Sequence, residues 1–138
     1  MEDDLERYVL DSYALLAYLG GEIGAAKVEQ LLKLTQKGAC VLYLSWMNLG
    51  ETLYIVERQR GLQDALSVLG LIKQLPISLL EVTNEQVLEA AHIKAHHPLA
   101  YADAFAVAAA QDKGAKLVTG DPEFEAVSEL VNILWIGE

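Results

Sequence analysis

The sequence predicts an α/β fold in which a parallel sheet of about five strands is covered by helices on both faces. Two observations point there. Short β-branched or leucine-rich runs alternate with longer segments of helical period, and the short runs are nearly continuous in apolar character, as strands buried on both faces are. At 138 residues and 53% hydrophobic, the chain fits a single domain, 1–138, able to bury about two-thirds of the surface its unfolded form exposes. Its three prolines and ten glycines form no linker, and no low-complexity tract or fixed repeat period interrupts it.

The first strand is expected at Tyr8 to Leu10, followed by helices at Ser12 to Leu19 and Ala25 to Lys37. The second strand, Cys40 to Leu44, leads into Ser45, which can cap a helix from Trp46 to Arg60; Gly61 then separates that helix from the next, Leu62 to Gln74. The third strand, Ile77 to Val82, precedes a helix from Asn84 to His96, with Asn84 as its cap and Pro98 beyond its end. A sixth helix, Tyr101 to Lys113, stops at Gly114, which can take the left-handed conformation. Alanines at positions 102, 104, 106, 108, 109 and 110 permit close approach to the sheet, so this helix should be central. Lys116 to Val118 and Ile133 to Ile136 complete the strands.

Twenty acidic against ten basic residues give a net charge of −10, which excludes a protein that coats nucleic acid through a broad basic surface. A nuclease remains compatible with this charge if carboxylates gather around divalent cations, because the ions reverse the local sign. The longest apolar run, Leu99 to Ala110, is interrupted by Asp103 and falls short of the roughly 20 residues a membrane span needs. The stretch Met1-Glu2-Asp3-Asp4 is acidic where a secretory signal is basic, so a cytoplasmic location is expected. Cys40, the single cysteine, reads as a small buried hydrophobe.

Ligands of open parallel sheets bind beyond the carboxyl ends of the strands, where strand order reverses. Asp11 directly follows the first strand and Asp121 the fourth. Each alone also reads as a helix cap, Asp121 with Pro122 at the first helical position. Glu51 and Asp103 are isolated charges among apolar or small neighbours. A solvated surface explains such positions poorly and a lone carboxylate there should have a partner, the alternatives being an exposed helical face shared with Glu57 and Arg58 for Glu51 and a favourable first-turn dipole for Asp103. As one site the four have a chemical logic. Unneutralised carboxylates repel by about 4 kcal/mol per close pair at an effective dielectric of 20 and so call for cations. Hard oxygen ligands select Mg²⁺ or Mn²⁺, and phosphodiester hydrolysis is the natural reaction.

The segments Val9-Leu10-Asp11-Ser12, Asn48-Leu49-Gly50-Glu51, Pro98-Leu99-Ala100-Tyr101-Ala102-Asp103-Ala104 and Leu117-Val118-Thr119-Gly120-Asp121-Pro122-Glu123-Phe124, in this order, resemble the PIN-domain family. More narrowly they resemble VapC-type toxin ribonucleases of toxin–antitoxin pairs, over nearly the whole chain. The resemblance implies a three-layer αβα fold with sheet order 3-2-1-4-5. It implies that Asp11, Glu51, Asp103 and Asp121 bind the catalytic divalent metal, with Ser12 and Thr119 orienting carboxylates or water. Glu123 is either a fifth, outer acid or an exposed first-turn glutamate. Ala100 stands where many relatives carry a capping serine, which weakens the cap and not the metal site. Arg58, Arg60 and Lys94 are candidates for gripping the RNA backbone, each also readable as an ordinary surface cation.

His92 and His96, with His97 adjacent, have the spacing of zinc ligands on a helix, without a cysteine or third spaced ligand; histidines favoured by a helix C-terminus are the simpler account. Trp46, Tyr54 and Tyr101 can stack on bases, although aromatics at helical spacing usually belong to cores or interfaces. Leu53, Val56, Leu62, Leu66 and Leu69 make more apolar face than a small core obviously needs, and the resemblance assigns it to homodimerisation and a VapB-type antitoxin. Two other classes compete with the nuclease: a non-catalytic PIN scaffold, and a phosphoacceptor domain. The latter needs an aspartate after the third strand and a lysine after the fifth, whereas Glu81 is expected inside the third and Gly137-Glu138 follow the fifth.

Overall fold

A computed structural model describes residues 4–137; the acidic start at residues 1–3, and residue 138, lie outside the described residues. Five strands, β1 (Glu6–Leu10), β2 (Cys40–Ser45), β3 (Ser78–Leu80), β4 (Lys116–Thr119) and β5 (Ile133–Trp135), form one sheet in the order β3-β2-β1-β4-β5. Every pairing in it is parallel. The helices are α1 (Ser12–Gly20), α2 (Ala25–Gln36), α3 (Trp46–Arg60), α4 (Leu62–Gln74), α5 (Asn84–His96) and α6 (Tyr101–Lys113).

Successive residues of a strand point to opposite faces, and the central strands split two cores accordingly. Val9 and Leu117 join α5, α6, Phe124 and Val127 on one face. Leu10 and Val118 join Leu42, Leu44 and the buried residues of α1 and α2 on the other. This is the three-layer architecture expected. Asp103 through Ala110 of α6 are all buried, and the run of small side chains lets this helix lie against β1, β2 and β4.

The strand ends differ from expectation for one reason, the reach of the neighbouring strand. β3 stops at Leu80 rather than Val82 because its last partner, Ser45, already turns into α3. That leaves Glu81 beyond the strand rather than inside it. β3 is the sheet edge, so Glu81 is two strands away from the Asp11 end of β1, and the phosphoacceptor arrangement is not formed. β5 stops at Trp135, the partner of Thr119, where β4 ends. β1 begins two residues early because Glu6 and Arg7 pair with Cys40 and Val41, a backbone interaction that polar side chains do not announce.

Ser45 caps α3, accepting from the Met47 amide at 3.1 Å, and Gly114 closes α6 at φ 59° as expected. The cap of α5 is Thr83, not Asn84. Thr83 has the extended backbone that a cap requires, and its hydroxyl accepts from the Gln86 amide, whereas Asn84 is already helical. A 3-10 helix at Pro122–Val127, capped by Asp121, adds an element that is too short to carry a periodic signal in the sequence. No described helix is long and apolar enough to cross a membrane.

Candidate acidic metal centre

Strand order reverses between β1 and β4, whose last paired residues are Leu10 and Val118. Asp11, the first residue past β1, and Thr119, the last of β4, therefore stand side by side, and the Asp11 amide still donates to the Val118 carbonyl at 3.3 Å. Asp11 is buried with both carboxylate oxygens engaged. Its Oδ1 accepts from the Ala14 amide at 2.8 Å, capping α1, and its Oδ2 accepts from the Thr119 hydroxyl at 2.5 Å. The cap and the site position are thus the same residue.

Thr119 also accepts from the Asp121 amide at 3.0 Å, which fixes the turn after β4. Asp121 in turn accepts from the Glu123 amide at 3.0 Å. Asp103, in the first turn of α6, lies opposite this turn: Asp103, Asp121 and Glu123 each offer a carboxylate oxygen, all within 4.8 Å of one another. Glu51 comes from α3 and accepts a short hydrogen bond from the Ser12 hydroxyl. Asn48, one turn before it, is fully buried and donates to the Ala102 carbonyl at 3.1 Å, tying the helix of Glu51 to that of Asp103.

The electrostatics place these acids in one neighbourhood. Burial pushes the Asp103 carboxyl up to about 7, and the charges of Glu51, Asp121 and Glu123 push in the same direction. Burial likewise raises Asp11 to about 7 against the Thr119 and Ala14 hydrogen bonds, with Asp103 and Asp121 adding to the rise. Among the described residues none of these acids is in an ion pair. An all-oxygen donor set, mutually repelling and without a protein cation, suits a hard divalent ion such as Mg²⁺ or Mn²⁺.

The trio within ligand reach of one another contains Glu123, read from sequence as outer acid or surface residue, while Asp11 and Glu51 lie outside it and are coupled to it electrostatically. Asp11 and Glu51 each accept from a side-chain hydroxyl, of Thr119 and Ser12, whereas in the trio only Asp121 accepts a hydrogen bond, from the Glu123 amide. Lys94 uses its ammonium on the Leu99 carbonyl at 2.9 Å, bracing the loop before α6. Ala100 gives that helix no side-chain cap, as expected. Arg58 and Arg60 are exposed in the last turn of α3, Arg58 over the Tyr54 ring. His92 and His96 stack edge to face at 4.8 Å; the one potential ligand group of three or more His, Cys, Asp or Glu among the described residues is the acidic trio.

Gly120 stands between two site residues, a position that sequence reasoning missed. A Cβ there would overlap the Tyr13 ring and lie 3.1 Å from the Gly137 amide nitrogen. Gly120→Ala is therefore expected to displace the turn bearing Asp121 and to weaken Mn²⁺ binding roughly tenfold, as lost support behind metal ligands does. Calorimetry beside circular dichroism checks this; unaltered affinity in a folded variant would show that Tyr13 simply swings away.

A sequence profile of the PIN domain matches residues 8–130. No curated protein sequence matches the chain significantly. Solved structures do. VapC20 of Mycobacterium tuberculosis, described as a sarcin–ricin loop cleaving toxin, superposes with a TM-score of 0.69 at 20% identity, covering 88% of this chain and 95% of its own. DNA-bound VapBC from Salmonella typhimurium gives 0.72 at 19%, covering 94% and 98%. VapBC2 from Rickettsia felis, bound to a promoter DNA fragment, gives 0.72 at 14%, covering 93% and 97%. At these identities the likeness establishes a shared fold.

Proposed function

The chain belongs to the PIN-domain family, and from that premise we propose that it is a metal-dependent endoribonuclease, the toxin of a VapBC-type pair. The observation that carries the reading is the gathering of Asp103, Asp121 and Glu123 oxygens within 4.8 Å at the carboxyl ends of the central strands, uncompensated by any ion pair among the described residues. Asp103, Asp121 and Glu123 would hold Mg²⁺ or Mn²⁺, with Asp11 and Glu51 completing the negative field. When bound, the ion supplies Lewis acidity to the scissile phosphate and lowers the pKa of the attacking water.

The chain's own groups do the rest. Thr119 holds the Asp11 carboxylate in one orientation and the Asp121 turn in place. Ser12 holds Glu51 toward the same pocket. The α6 dipole favours the Asp103 anion at its first turn.

The substrate is RNA, and the partners are a second copy of the chain and a VapB-type antitoxin in the cytoplasm. The VapBC complexes that share the fold support the antitoxin, as do Leu62 and Leu66 on α4, 58% and 54% exposed. Leu53 and Leu69 instead pack partly on the core and Val56 is buried, so the free apolar face is narrower than the sequence suggests. Purified protein with Mn²⁺ should cut single-stranded RNA and lose that activity in EDTA. Calorimetric Mn²⁺ binding without any cleavage would move the protein to the scaffold class.

A further inference from the structure

Beside the acidic centre a groove of about 420 Å³, lined by Trp46, Met47, Glu51, Tyr54, Val82 and Ala102, opens between α3 and the start of α6. We propose that it is a nucleobase subsite: the base of the nucleotide next to the scissile phosphate stacks on Trp46 and Tyr54, while Arg58 and Lys73 hold the flanking phosphates. The inference rests on the nuclease reading for the position of the RNA strand.

The groove adjoins the acidic centre: Glu51 forms part of its wall and Ala102, also lining it, immediately precedes Asp103, so a strand with a phosphate at the acids runs beside it. Trp46 and Tyr54 remain 38% and 51% exposed and belong to neither core. Large flat side chains left open beside a phosphate-handling centre offer what unpaired bases bind, a π surface without sequence-specific donors. The volume lies within the roughly 300–1,000 Å³ typical of small-ligand pockets.

Charge selects the occupant. In a chain of net charge −10, each of the two rings has a cation at its face. The Arg58 guanidinium stands 5.4 Å from the Tyr54 centroid and the Lys73 ammonium 6.0 Å from that of Trp46. Glu51, Tyr54 and Arg58 follow at i, i+3 and i+7, one face of α3. Exposed cation–π contacts are weak, and either cation gains by exchanging its ring for a phosphate. A ribonucleotide presents a π face flanked by phosphates, matching the rings and cations together. A basic peptide would meet like charge at both rings.

Two tryptophans are present, Trp46 and Trp135. In a Trp135→Phe protein that also carries Asp103→Asn to prevent cutting, short random-sequence single-stranded oligoribonucleotides should quench Trp46 fluorescence saturably. An abasic ribose-phosphate oligomer of the same length should not. With the acidic centre intact, Trp46→Ala and Tyr54→Ala should each raise KM for the random pool roughly 5- to 100-fold, the range expected for losing one base–aromatic stack. They should leave kcat largely unchanged and flatten the base preference beside the cut, and Trp46→Phe should recover most of the loss. Equal quenching by the abasic oligomer, or alanine variants with wild-type KM and base preference, would overturn the subsite. Alanine variants that cut normally but lose a protein partner would assign the groove to that partner. Wild-type protein that leaves the pool intact with Mn²⁺ would sink the nuclease reading instead, and the quenching would still decide the subsite.

Discussion

Asp103→Asn should abolish RNA cleavage while leaving the metal-free protein at least as stable as wild type. The two effects have one cause. Asp103 is buried in the field of Glu51, Asp121 and Glu123, and its carboxyl is raised to about 7. The folded chain therefore tolerates this carboxylate at neutral pH rather than benefiting from it. The amide keeps the shape, removes a repelling charge and cannot complete an anionic site. Losing several kcal/mol of metal-assisted transition-state stabilisation corresponds to about 10³-fold or more in rate. Cleavage assays and thermal melts on the same preparation check both halves. A variant that cuts like wild type would remove Asp103 from the site; one that melts far lower would show that its carboxylate holds the fold.

The largest expected effect on stability comes from pH in the absence of metal. Asp11 and Asp103 both have folded-state pKa values raised from 3.8 to about 7. A carboxyl with a raised pKa binds its proton more tightly in the folded state than in the unfolded one. Its contribution to stability is therefore fully present below pH 3.8 and is lost as pH rises to about 7. A tenfold difference in proton affinity between the two states is worth about 1.4 kcal/mol. Asp103 is 8% exposed against 1% for Asp11, so solvent screens it more and its share is smaller. Together the pair should cost the metal-free protein on the order of several kcal/mol across this window. In melting temperature that is roughly 10 °C or more for a domain of this size. Mn²⁺ at a saturating concentration should restore the loss at neutral pH, because binding to the folded state alone adds stability. Melts in EDTA at pH 5 and pH 7.5, with and without Mn²⁺, test the sign. A metal-free protein more stable at pH 7.5 would mean that these acids are neutralised by something other than an ion.

The fold was largely legible because its signals are local and repetitive. The Ser45 cap, the Gly61 break and the Gly114 stop delimit helices by backbone chemistry that acts within one turn. The alanine run of α6 announced a helix pressed against the sheet, and Asp103 to Ala110 are buried there. Errors fell where a neighbour decides. Glu6 and Arg7 are in β1 because Cys40 and Val41 lie alongside, and β3 ends early because Ser45 turns away. The face of α3 and α4 divided similarly, Val56 turning inward and Leu62 outward.

For the acids, the types and the four motif segments were visible in the chain, because carboxylates in apolar surroundings stand out by composition. Their mutual arrangement was not. Lys73 gave no sign of lying near Trp46, since the two are on different helices and meet only through the packing of α3 on α4.

Sequence alone determined the α/β class, the six helices and the shortlist of carboxylates, because periodicity, caps and burial tendency act over a few residues. Only the tertiary structure decided that Glu123 stands with Asp103 and Asp121, while Asp11 is held by Thr119 and Ala14. The register of β1 against β4 and the packing of α6 on them set those distances, and both are properties of the whole packed chain.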